Sequence, residues 1–129
     1  IYPFRNPSEV GVNELAEIGR EMFRRTKRPV YITLSEMGAL LIDDDKHYHI
    51  PAAPVKPPID PVGAGDTFIS AIGVSLAAGA NPLEAGIIAN IAASIILKKL
   101  NITGTASPKE IISKFDEISR GGEWPRIHG

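Results

Sequence analysis

Apolar positions change their spacing several times along the chain, and each change marks an element. Over residues 12–25, VNELAEIGREMFRR, Leu15, Ile18, Met22 and Phe23 recur at helical intervals while charges fill the other positions. This predicts an amphipathic surface helix. Residues 30–34 then form a nearly continuous apolar run behind Pro29, the pattern of a buried strand. A second run at residues 39–42 and a third at residues 46–50 flank the acidic turn Asp43-Asp44-Asp45, which predicts a hairpin.

The proline-rich stretch 51–58 supports neither a ladder nor a helix and reads as an extended connector. From Thr67 the spacing is helical again, with Phe68, Ile69, Ile72 and Leu76 on one face and a stop around Gly79. Asn81, Pro82 and Glu84 supply an N-cap, a first-turn proline and a first-turn carboxylate for the next helix. That helix is apolar nearly all round, so it should be central. Ser107, Pro108 and Glu110 form a capping box for a last helix, with Ile111, Ile112, Phe115 and Ile118 expected inward. The tail, residues 121–129, reads as frayed. Strands followed by three helices, without internal repeats, predict an α/β layer architecture.

Bulk properties narrow the class. A chain of 129 residues buries one core, and its start at Ile1 raises the expectation of a missing N-terminal part. Hydrophobic content of 43%, charged content of 22% and a net charge of −1 give no electrostatic bias towards nucleic acid or an anionic membrane, so neither is an expected partner. The absence of cysteine removes disulfides, zinc–thiolate sites and cysteine nucleophiles, and fits a cytoplasmic location. The apolar run 85–97 is too short to span a bilayer.

The chemistry gathers in PPIDPVGAGDTFISA, residues 57–71. A helix start leaves backbone N–H groups unpaired and carries roughly half a positive charge, which suits an anion. Gly63 and Gly65 allow unusual dihedrals and keep side chains away from such an anion. Asp66 could merely complement the helix dipole, yet Asn81 and Ser107 start the other helices without flanking glycines. Phosphoryl transfer explains the glycines, because its catalysis is mostly positioning plus stabilisation of spreading negative charge.

DPVGAGDTF, residues 60–68, resembles the signature of the ribokinase-like (PfkB) carbohydrate kinases. It is not a Walker A loop, since no G-K-[ST] follows. The resemblance implies that Asp66 is the catalytic base for a sugar hydroxyl and that Gly63, Ala64 and Gly65 form an anion hole. TLSEMG, residues 33–38, resembles the family's T-L-G-x-x-G nucleotide segment, contributing Thr33, Ser35 and Gly38, with Ser35 standing at the usual glycine. NPSE, residues 6–9, matches N-x-x-E, which implies Asn6 near the phosphates and Glu9 holding Mg2+ through water. ANIAAS, residues 89–94, matches the helix whose Asn90 position lies along the nucleotide, and Gly104 falls in the turn closing the adenine side. Asp60 falls where many members help bind a monovalent cation, K+ among the candidates. Residues 103–108, TGTASP, look similar to the turn of certain sugar kinases, heptose-type ones included.

The resemblance covers nearly the whole chain and implies the C-terminal portion of a ribokinase-like three-layer sandwich. The sugar-binding and lid part would lie N-terminal to it. The implied reaction is phosphorylation of a sugar hydroxyl from ATP with Mg2+, and the isolated chain is expected to have little activity. Alternatives are a nucleotide-binding regulatory module, an assembly module forming a homodimer, or a kinase of a nucleoside or vitamin-precursor alcohol. Other features are bland. His47 and His49 lie two apart on a strand without a third metal ligand. Arg24, Arg25, Lys27 and Arg28 complement a helix C-terminus, and Trp124 either packs on the last helix or marks an interface.

Overall fold

The structure, a computed structural model, describes residues 10–99, 104–122 and 124. Helix α1, Val12–Thr26, ends where Lys27 takes a left-handed conformation, φ 55°, and donates its N–H to Phe23 O at 2.7 Å. Strands β1 (Val30–Thr33), β2 (Ala39–Asp43) and β3 (Lys46–Ile50) form an antiparallel sheet in the order β1-β2-β3. Register runs from Val30↔Ile42 to Thr33↔Ala39 and from Ala39↔Ile50 to Asp43↔Lys46. The acidic turn closes the hairpin as its composition predicts, with Asp44 at φ 60°. Leu34 leaves the first strand because its N–H bonds Gly38 O at 2.7 Å instead of the ladder.

Three helices follow: α2 (Ala64–Ala77), α3 (Pro82–Leu97) and α4 (Pro108–Gly121). Both α3 and α4 begin with complete capping boxes, Asn81 with Glu84 and Ser107 with Glu110.

The layers follow from the strand pattern. All of β2 from Ala39 to Ile42 is buried, because both faces are covered. Leu40 and Ile42 pack with Ala16 of α1, joined by Leu15 and Phe23. Ala39 packs the other way, with Phe68 of α2 and Ala89 of α3. Full burial of one such Leu or Ile side chain contributes roughly 1.5–3 kcal/mol, so β2 anchors both helical layers. Helix α4 docks on α3 through Ile118, Ile91 and Ala53, with Ile111 and Trp124 alongside. This is the helix–sheet–helix sandwich expected of a ribokinase-like α/β fold.

Two expected faces are corrected. Helix α2 starts at Ala64 rather than Thr67. It turns Phe68, Ala71 and Ile72 inward, so Ile69, expected inward, is 69% exposed and Leu76 lies at the surface. Helix α4 buries Ile118 and packs Ile111, while Ile112 (63% exposed) and Phe115 point outward. Met22 of α1 is likewise exposed. Trp124 packs on the last helix and donates Nε1–H to Pro51 O at 3.0 Å; most of the tail expected to fray lies outside the described residues. No helix among the described residues is long and apolar enough to cross a membrane.

Candidate active site

Three residues adjoining the sequence-predicted positions share one buried cluster: Ala39 beside Gly38, Phe68 just after Asp66, and Ala89 beside Asn90. Packing these neighbours together draws the TLSEMG turn, Phe68 in the first turns of α2 and the middle of α3 to one end of the sheet, while the start of α2 lies beside the end of α3, where a Cβ on Gly63 would be 3.9 Å from the Ile96 side chain. That end of the sheet is where Thr33, Ala39 and Ile50 stand opposite one another in the register. The Tyr31 and Phe68 rings meet edge-on there, with centroids 6.4 Å apart.

The start of α2 is built by its glycines. Gly63 is the N-cap at φ 83°, a conformation in which a side chain would be strained. Ala64 N–H turns back on Pro61 O at 3.3 Å, and the first helical bond runs from Thr67 N–H to Gly63 O at 3.0 Å. The N–H groups of Gly65 and Asp66 precede that bond, and Gly63 has no side chain with which to cap them. A Cβ placed on Gly65 would meet nothing within 4 Å, so the flank of the turn at Gly65 is open. Asp66 is exposed in this first turn. Asp60 fixes the approach: its N–H donates to Leu97 O at 2.8 Å and its carboxylate accepts Val62 N–H at 3.1 Å.

The turn between β1 and β2 has a defined shape. Ser35–Met37 is one 3-10 turn, with Met37 N–H to Leu34 O and Gly38 N–H to Ser35 O both at 3.1 Å. Ser35 sits at φ 55° and Gly38 at φ 92°. The resemblance already places a glycine at position 35, and the left-handed backbone gives the physical reason. A Cβ on Gly38 would lie 2.1 Å from Ile50 O, so the turn is pressed against the exit of β3.

Asn90 is buried, and its side-chain amide donates to Ile50 O at 3.1 Å and to Pro51 O at 3.0 Å. It thereby tethers α3 to the same strand exit. Gly104 lies against the Lys99 side chain. The Lys99 ammonium bonds Thr105 O and pairs with Glu110 at 2.9 Å. The Ser107 N–H, followed by Lys99, holds the Glu110 carboxyl down at about 2. A groove of about 440 Å³ runs here between α3 and α4, lined by Ser94, Lys98, Lys99, Lys109 and Lys114 among others. It does not include the start of α2. Asn6, Glu9 and Thr103 lie outside the described residues.

Sequence reasoning missed two participants. His49 of β3 bonds Met37 O through Nε2 at 2.7 Å, and Lys99 braces the turn at Gly104. Neither has a sequence signature, since each acts on a backbone carbonyl. His47 faces Arg20, 3.0 Å from Nδ1, and no cluster of metal-ligating side chains occurs among the described residues.

Comparisons with known proteins agree with this fold. Residues 5–110 match the family described as pfkB family carbohydrate kinase. Over 87 residues the chain is 45% identical to the bifunctional protein HldE of Shewanella piezotolerans, covering 67% of this chain and 18% of that protein. The fold superposes on ribokinase of Thermotoga maritima with a TM-score of 0.63 at 25% identity, covering 81% of this chain and 40% of the other. It also superposes on phosphofructokinase-2 of Escherichia coli, solved with substrates and products, with a TM-score of 0.72 at 26% identity, covering 86% and 36%. The chain spans about a fifth of the length of the curated relatives it matches.

Proposed function

Because this chain belongs to the pfkB family of carbohydrate kinases, we propose that it is the nucleotide-side and catalytic-base portion of a kinase that phosphorylates a sugar hydroxyl. The observation that carries this reading is the start of α2, where an exposed carboxylate shares one helical turn with uncapped amides and an open glycine. ATP with Mg2+ fits there, since the glycines leave room for phosphate oxygens and the helix start favours an anion.

Bound there, ATP would supply an electrophilic γ-phosphoryl group. The residues of this chain would do the rest. Asp66 accepts the proton of the attacking hydroxyl, a step that general bases of this kind accelerate by roughly 10²–10⁴-fold. The Gly63 and Gly65 amides, joined by that of Ala64 once it is released from its long 3.3 Å bond to Pro61 O, hold the negative charge that spreads over the phosphoryl oxygens. Thr33, Ser35 and Gly38 form the phosphate-side turn, and Asn90 and Gly104 border the nucleoside. Asn6 and Glu9 serve phosphates and Mg2+, and Asp60 serves a monovalent cation such as K+. The acceptor is a sugar, a reading supported by the family and by the turn at residues 103–108; its binding residues belong to a part of the family fold N-terminal to this chain. The exposed Ile69, Val74, Ile112 and Phe115 favour a second reading, an assembly module without chemistry.

Calorimetric titration of this chain with Mg-ATP, Mg-ADP and AMP tests the reading. Binding that weakens as phosphates are removed is the expected result. The absence of heat with Mg-ATP would contradict it and leave the assembly reading.

A further inference from the structure

We propose that His49 is a positioning residue that locks the turn carrying Ser35 and Gly38, and so tunes nucleotide affinity; the second half rests on the proposed function of that turn. Apart from its own backbone hydrogen bonds, the turn has little else to hold it. Ser35, Glu36 and Met37 are all exposed, and none of the three residues of the 3-10 turn is buried. Ser35 takes a positive φ, a conformation that a residue with a Cβ keeps only when the surroundings over-determine it.

Two contacts from β3 and the chain just after it do so. The backbone at Ile50 and Ala52 abuts Gly38, where a Cβ would fall 2.1 Å and 2.5 Å away. The His49 Nε2 lies 2.7 Å from Met37 O. A carbonyl oxygen only accepts, so Nε2 must carry the proton and donate. The imidazole itself rises from a fixed base, because His49 pairs with Leu40 within the β2–β3 ladder. A ladder residue thus reaches across to pin the last carbonyl of the turn. Asp66 lies on a different element, α2, so losing this hydrogen bond changes where the turn sits and leaves the proton acceptor in place.

Three substitutions in this chain test the assignment: His49→Ala, His49→Gln and His49→Asn. Glutamine carries an N–H at about the reach of Nε2, whereas asparagine reaches only as far as Nδ1. Amide hydrogen exchange at Leu34, Met37 and Gly38 reports the turn, β2 amides report the sheet, and calorimetry with Mg-ATP reports the site. With Ala and Asn, exchange at the turn should speed up about tenfold and Mg-ATP should bind about three- to tenfold more weakly, while Gln stays within about twofold. Faster exchange across β2 as well would mean that the sheet itself had loosened and would overturn a local role. Unchanged exchange with Ala, or Gln behaving like Ala, would overturn the hydrogen bond as the cause. A loosened turn with unaltered Mg-ATP affinity would overturn the role in nucleotide affinity. An unsubstituted chain that takes up no Mg-ATP would contradict the proposed function, and the exchange measurements would still decide whether His49 holds the turn.

Discussion

Asn90, in the middle of α3, donates its side-chain amide to Pro51 O at 3.0 Å, on the same carbonyl that accepts Trp124 Nε1–H. A second bond from the same amide reaches Ile50 O at 3.1 Å. The family resemblance places Asn90 along the nucleotide, and the structure shows that it also closes the joint between sheet and helix. Replacing it by alanine withdraws a donor from two buried carbonyls, of which Pro51 O keeps the Trp124 Nε1–H. Asn90→Ala should therefore lower stability by about 1–3 kcal/mol, read as a fall in the urea midpoint at constant m-value.

Ser35 occupies a left-handed conformation, which disfavours a residue with a Cβ by roughly 1–2 kcal/mol. Glycine relieves that strain but gives up about 0.5–1 kcal/mol through its freer unfolded chain. Ser35→Gly should leave stability unchanged or raise it by up to about 1 kcal/mol, whereas the β-branched Ser35→Val should lower it. Thermal unfolding of the two variants beside the parent chain checks both signs.

Much of this organisation was legible in advance, and the misses share one cause. Helical spacing and capping residues placed α1, α3 and α4, and the apolar runs at 30–34, 39–42 and 46–50 became the three strands. What spacing could not show was which apolar face docks. Helix α2 carries Phe68 and Ile72 on one side and Ile69 and Val74 on the other, and only the position of Ala39 and Ala89 selects the first pair. Helix α4 offers Ile112 and Phe115 as well as Ile111 and Ile118, and the docking partner Ile91 decides between them. At the candidate site the glycines and the acid were readable because they obey local backbone rules. His49 was not, because its bond to Met37 O joins residues that no local rule connects.

Tyr31 gives stability a dependence on alkaline pH. Its hydroxyl donates to Pro82 O at 2.6 Å, and burial, helped by the nearby Asp43 carboxylate, pushes its ionisation from 10.0 up to about 12. The folded form keeps the proton that the unfolded form gives up first. The contribution is thus fully present below pH 10 and is lost as the pH rises towards about 12. Tyr31→Phe should be less stable at neutral pH by about 1 kcal/mol, with the gap to the parent chain narrowing across that window. Urea unfolding at stepped pH measures it.

The central claim is that the carboxylate of Asp66, exposed at the open start of α2, takes the proton of the acceptor hydroxyl. Asp66→Asn keeps the size and the amide cradle but removes the base. The decisive measurement is the steady-state turnover of this variant in the full-length kinase, together with its nucleotide affinity. A loss of about a hundredfold or more in kcat with nucleotide affinity unchanged is the predicted result. Turnover close to that of the parent enzyme would contradict it.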